Sequence, residues 1–170
     1  HISSSNYQSH KHDALILFQS KQALIFRDPR QFGRLRLHRG KTAPTWWSEL
    51  PTSMLDPKFK LSVLSDALSR HGKRPVKALL LDQRYFQGMG NWMADEVLWR
   101  AGIHPARIGS KINSTETTKL FSQIKFVVRG AMKSVGKHGG DPPKGWLFHV
   151  RWKNGGICPK TKLPLNRDRK

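Results

Sequence analysis

Gly88-Met89-Gly90-Asn91 is where this chain of 170 residues concentrates residue types that can do chemistry. Two glycines one residue apart strip side chains from the backbone, so a bulky anion can approach the N–H groups directly. Asn91 then opens a run, Asn91-Trp92-Met93-Ala94-Asp95-Glu96-Val97-Leu98, that reads as a helix. At such a helix start, unpaired N–H groups and the helix dipole favour negative charge. The expected ligand is a phosphate. Taken bare, a G-x-G-N is more often an ordinary helical hairpin, its glycines turning the chain and its asparagine capping the second helix. Asp95 and Glu96 invite an acid–base reading. Adjacent carboxylates on a helix point to different sides, however, and neither is placed in a catalytic set.

Charge points the same way. Lys and Arg number 31 against 11 Asp and Glu, giving a net charge of +20 and a pI near 10.9, far beyond what solubility needs and in keeping with a polyanionic partner. No segment approaches the roughly 18 consecutive apolar residues of a membrane span. Residues 1–12 are polar, unlike a signal peptide or lipidation site, so the expected location is cytoplasm, nucleoid or nucleus rather than secretion. The single Cys158 excludes an internal disulfide framework and leaves a cysteine-based zinc site short of ligands. Both ends, His1 without a preceding Met and Arg169-Lys170, read as cut from a longer protein.

The elements that must position the turn can be read from periodicity. Apolar runs at 14–18 and 23–26, separated by Gln19-Ser20-Lys21-Gln22, predict a hairpin. Residues 34–39 alternate arginine or histidine with leucine and predict a further strand. A loop with Pro44, Trp46, Trp47 and Pro51 divides this β portion from a helical one. Asp56 and Pro57 are expected to cap a helix running to about residue 71. Further helices are predicted at 75–82, at 91–101 with Asn91 as cap and Gly102 as stop, and from 114 to about 136 with Asn113 and Glu116 at capping-box spacing. The last carries an apolar stripe and, beside it, Lys125, Arg129, Lys133 and Lys137. Together with Arg34, Arg36, Arg39, Lys73, Arg74, Lys77, Arg100, Arg107, Arg151 and Lys153, that row predicts a surface neutralising several phosphates. Residues 146–152 are expected to be extended, and the six tryptophans to anchor core and loops more than to stack on bases.

The stretch from Leu79 to Leu98 with Ala101-Gly102-Ile103-His104-Pro105 closely resembles the helix-two-turn-helix module of the formamidopyrimidine-DNA glycosylase and endonuclease VIII family. Upstream, Phe26-Arg27-Asp28-Pro29-Arg30-Gln31-Phe32-Gly33 resembles the turn that closes the family's N-terminal β-sandwich, with His12-Asp13 ahead of the hairpin. The resemblance covers about nine-tenths of the chain and implies an α+β fold. Residues 1–43 would be the C-terminal part of the sandwich, 44–56 a linker and 57–140 the helix-two-turn-helix domain. Residues 141–170 would be an extended segment leading into an incomplete zinc-ribbon-like hairpin, of the zinc-bearing or the zincless kind.

By the same resemblance Asn91 hydrogen-bonds a DNA phosphate beside the lesion, supported by the backbone of Gly88 and Gly90. Arg30 pairs with the base orphaned by nucleotide flipping, and Phe32 wedges the stack. The implied partner is duplex DNA containing a damaged base or abasic site, bound by a monomer, with no membrane involved. The implied activity is excision of oxidised or ring-opened bases with cleavage of the abasic strand. Family members use an N-terminal proline amine as nucleophile with an adjoining glutamate. This chain starts His1-Ile2, so no catalytic residue is assigned. Cys158-Pro159 resembles the start of the family's zinc ribbon, yet Thr161 stands where a second cysteine would be; zinc would require ligands beyond Lys170, and no metal residue is assigned. The competing readings are a noncatalytic helix-two-turn-helix nucleic-acid-binding protein and a basic structural protein without a DNA-specific site.

Overall fold

The computed structural model of the chain describes residues 1–29, 31–136, 139–152 and 155–165. They divide into two compact units, His1–Pro44 and Thr45–Lys170.

The first unit is an antiparallel three-stranded sheet, β1 (Ile2–Ser4), β2 (Asp13–Phe18) and β3 (Gln22–Arg27), with β3 in the centre. The hairpin forms as the two apolar runs predict, Leu17 facing Leu24 and Phe18 facing Ala23. Strand β1 has no forerunner in the sequence pattern, because a polar His- and Ser-rich segment carries no β periodicity; it forms by pairing Ile2 with Leu24. Ala23 and Ile25 are buried on one face of β3, whereas register aligns Ile2, Leu24 and Leu17 in an exposed row on the other. Asp13 ties the sheet's start together. Its carboxylate accepts from Arg27 Nε at 2.7 Å, Tyr7 Oη at 2.8 Å and the His10 N–H at 2.8 Å, and the Arg27 hydrogen bond holds it well below the usual carboxylate range.

The predicted strand at 34–39 does not form. Leu35 is 55% and Leu37 100% exposed, so the alternation has no apolar surface to bury and no ladder to join. Period-two patterning specifies a strand only when a partner edge and a core are present.

The second unit is helical: α1 (Thr45–Ser48), α2 (Leu61–Arg70), α3 (Val76–Leu80), α4 (Asn91–Ala101) and α5 (Ser114–Ala131). Its core joins Phe59, Leu64, Leu79, Leu80, Phe86, Val97, Leu120, Ile124 and Trp146. Helix α2 starts later than predicted. Asp56 closes a separate turn instead, its Oδ1 accepting the Lys58 N–H at 2.7 Å and its carbonyl the Phe59 N–H at 3.0 Å, which drives Phe59 into the core. Helix α4 ends at Gly102 in the left-handed conformation, and α5 begins with the predicted reciprocal capping box of Asn113 and Glu116, at 2.9 and 3.0 Å. Beyond Ala131 the helix continues as a π-helical turn, Met132–Gly136.

Residues 146–152 are not extended as predicted; Leu147–His149 is a 3-10 turn. Local backbone bonds close it, the Val150 and Arg151 N–H groups donating to the Leu147 carbonyl at 3.0 and 2.9 Å, and the buried Glu96 carboxylate of α4 accepts the Phe148 N–H at 3.4 Å. A short antiparallel bridge, Ile157 to Pro164, closes a tight hairpin at the C-terminal end. No helix among the described residues is long and apolar enough to cross a membrane.

Candidate nucleic-acid interface

Between α3 and α4 the chain makes consecutive tight turns whose anchors are apolar. Phe86 and Met89 are buried in the core, so the backbone on either side is pushed to the surface. Asp82 fixes the first turn: its carbonyl accepts the N–H groups of Tyr85 and Phe86, each at 3.0 Å. Its carboxylate receives Arg84 at 2.7 and 2.9 Å and Arg74 at 2.9 Å. Those guanidiniums, Arg84 first, keep Asp82 well below the ordinary carboxylate range.

Gly88 has φ +84°, where a side chain would be strained. A Cβ at Gly88 or Gly90 would meet no protein atom within 4 Å, so the space over both is open to a ligand. The sequence places Asn91 as the helix cap, but the cap position is Gly90, with φ −100° and no side chain to offer, and Asn91 is the first helical residue. The shift matters. An asparagine cap would consume one of the unpaired N–H groups of the first turn, whereas a glycine cap leaves all of them available. The Asn91 side chain is exposed and meets no hydrogen-bond partner among the described residues, nor do the N–H groups of Gly90 and Asn91.

Beside this turn a mostly apolar groove of about 330 Å³ is lined by Met54, Gln87, Gly88, Trp92, Met132 and Val135. The π-helical end of α5 therefore borders the glycine turn.

The paired carboxylates of α4 diverge as helix geometry requires. Asp95 joins Lys77, at 2.7 Å, to Arg151. Glu96, fully buried, pairs with Arg100 at 2.7 Å. Burial raises the Glu96 pKa and Arg100 only partly counters it. Arg100 in turn lies over the rings of Phe126, Trp146 and Trp99 at 4.7, 5.0 and 5.4 Å. Both carboxylates are engaged in holding the unit together.

In the first unit the Asp28–Gly33 turn is closed by Gly33 N–H donating to Asp28 Oδ2 at 2.6 Å, with Gln31 at φ 56°. A Cβ on Gly33 would come within 2.5 Å of the Phe26 ring and 2.7 Å of that carboxylate, so any larger residue would have to displace those two side chains. Phe32 is 79% exposed, not a core aromatic. Arg30 lies outside the described residues.

The C-terminal hairpin turns on Cys158. Its buried sulfur accepts the Trp99 indole N–H at 3.3 Å and the Thr161 N–H at 3.5 Å. Burial opposes ionisation of the thiol, but the Thr161 and Trp99 hydrogen bonds outweigh it and bring the pKa down to about 7. Thr161 brings no thiolate, and no group of three or more His, Cys, Asp or Glu able to hold a metal occurs among the described residues. One thiol does not fit a four-ligand zinc site.

Two residues acquire roles that spacing does not reveal. Gln83 lies between Leu79 and Leu98, and in the structure all three of its hydrogen bonds go to the backbone of this turn. Lys125, counted in the basic row of α5, instead donates to the Asp56 carbonyl at 3.1 Å and lies over Phe59.

A family model described as the formamidopyrimidine-DNA glycosylase H2TH domain matches residues 50–140. A formamidopyrimidine-DNA glycosylase of Arabidopsis thaliana is 37% identical over 134 residues, covering 78% of this chain and 34% of the relative. That of Herpetosiphon aurantiacus is 36% identical over 166 residues, covering 93% and 60%. The chain thus spans between about a third and three-fifths of the length of these curated relatives. Among solved structures, the Thermus thermophilus protein is 28% identical with a TM-score of 0.73, covering 95% of this chain and 65% of that one. The Lactococcus lactis protein, solved with DNA containing an abasic site, has a TM-score of 0.79 at 22% identity, covering 99% and 65%; at that identity the likeness concerns the fold.

Proposed function

The chain belongs to the formamidopyrimidine-DNA glycosylase and endonuclease VIII family, and we propose on that basis that it binds damaged duplex DNA through a phosphate seated at the start of α4. The observation that carries this reading is the uncapped helix start. Asn91 presents a free carboxamide, Gly90 and Asn91 present free N–H groups, and the two glycines leave the approach open. Neutral, unpartnered donors grouped at one helix start in a protein of charge +20 are suited to a phosphate oxygen.

In this reading Phe32 wedges the base stack and Arg30 pairs with the orphaned base when the damaged nucleotide leaves the helix. The exposure of Phe32, beside a turn closed by the Gly33 N–H on the Asp28 carboxylate, supports it. Residues 1–43 are taken as part of a β-sandwich, which accounts for the exposed apolar row Ile2, Leu24 and Leu17 on one face of the sheet. Residues 57–140 are taken as the helix-two-turn-helix domain and 141–170 as an extended segment leading into a ribbon-like hairpin. The intact protein would excise oxidised or ring-opened bases and cleave the abasic strand.

The test is the affinity for a duplex containing an abasic-site analogue against that for the undamaged duplex. Tighter binding of the abasic duplex is expected, and the double variant Arg30→Ala, Phe32→Ala should lose most of the difference. Equal affinities in the unaltered chain would overturn the assignment.

A further inference from the structure

Gln83 occupies an exposed position between α3 and the glycine turn, yet its side chain is fully committed. The carboxamide nitrogen donates to the Leu81 carbonyl at 3.1 Å and to the Met89 carbonyl at 3.0 Å, while Oε1 accepts the Gly88 N–H at 2.9 Å. The orientation of the amide follows from chemistry: carbonyls can only accept and an N–H can only donate, so a flipped carboxamide would break all three contacts.

We propose that Gln83 is the positioning residue of the phosphate seat. It acts on DNA affinity through the backbone geometry of Gly88 to Asn91 rather than by touching DNA; this rests on the phosphate reading given above. Three features support the assignment. Gly88 is the one residue of the turn in the left-handed region, with φ +84°, a conformation glycine leaves readily because it has many alternatives. A hydrogen bond to its N–H removes that freedom. Met89, the next residue, is pinned twice, by burial of its side chain and by the Gln83 bond to its carbonyl. The donors that face solvent, at Gly90 and Asn91, follow at once, and the seat has no side-chain cap of its own to hold it. A preorganised set of donors binds an anion better than one that must be ordered on contact.

The experiment is a double-mutant cycle on affinity for the abasic-analogue duplex, using the full chain with Gln83→Ala, Gln83→Met, Asn91→Ala and the Gln83→Ala, Asn91→Ala pair. Asn91→Ala is expected to weaken binding about tenfold, the worth of one hydrogen bond to a charged group. Gln83→Ala and the near-isosteric Gln83→Met should each weaken it about fivefold to tenfold, and the loss from Gln83→Ala should shrink to about twofold to threefold when Asn91 is already alanine, because the backbone N–H groups of the seat remain. A residue that merely braced the fold would lower the melting temperature and leave affinity, measured well below it, unmoved. Unchanged affinity in both Gln83 variants beside a clear Asn91→Ala loss overturns the role of Gln83 alone, as does an equal loss in both backgrounds. No effect of Asn91→Ala overturns the phosphate seat beneath it.

Discussion

Glu96 carries its charge on a face of α4 that otherwise buries Met93, Ala94, Val97 and Leu98. Ionising it there costs solvation, which the Arg100 ion pair at 2.7 Å and the Phe148 N–H only partly restore, so its pKa lies above the ordinary glutamate value. The consequence for stability has a definite sign. Where a folded-state carboxyl pKa is raised, the native state holds its proton while the unfolded chain has lost it. The group's contribution to stability therefore falls as pH rises from the unfolded value, about 4.3, through the raised folded one. Glu96→Gln keeps an acceptor for the backbone of the 3-10 turn and removes the titration. Relative to the unaltered chain, the variant should gain stability as pH rises across that window, measured as the difference in urea midpoints at successive pH values. A difference independent of pH would show that Arg100 fully offsets the burial. Asp13 and Asp82, held low by arginines, titrate in the opposite sense in both proteins and cancel from the difference.

Where elements are specified by local chemistry, the sequence is readable; where they depend on what they pack against, it is not. The β-hairpin follows from two apolar runs, α4 from its run to Gly102, and α5 from the Asn113 and Glu116 spacing, and each of these features forms. The segment at 34–39 has the period of a strand but nothing to cover its leucines. The turn at Leu147–His149 is held against Glu96, about fifty residues away, a distance over which periodicity carries no information. The start of α4 lies between these cases. An asparagine after a glycine reads as a cap, but the helix takes Gly90 as the cap and makes Asn91 its first residue, which frees the side chain that the phosphate reading needs. The capping box of α5 gives the clearest quantitative expectation at this scale. Asn113 Oδ1 accepts the Glu116 N–H, and Glu116 also receives Arg107, so Asn113→Ala should lower unfolding free energy by about 1 kcal/mol in a denaturant titration, with an unchanged m-value. A loss below a few tenths would mean that Arg107 alone holds the helix start.

For the whole chain, net charge and usable charge are different quantities. The charge of +20 sets the long-range field that draws a polyanion, but the slope of affinity against salt counts only the cations that reach phosphates. Of the residues that sequence groups as one basic surface, Arg74, Lys77, Arg100, Arg107 and Arg151 are paired with carboxylates inside the second unit. Lys125 is held by the Asp56 carbonyl over Phe59 and Phe121, and its ammonium pKa is lowered by burial and then by Arg129. Lys133 differs. It is exposed, meets no carboxylate among the described residues, and belongs to the π-helical turn whose neighbours Met132 and Val135 line the groove beside Gly88. Lys133→Ala should therefore make the plot of log affinity against log salt shallower by about 0.9, the value of one phosphate contact. Lys125→Ala should leave that slope unchanged while lowering the melting temperature, because it removes a bond between α5 and the loop before α2. Equal slope changes in the two variants would return the basic row of α5 to what its spacing alone implies, a uniformly charged face with no position of special value.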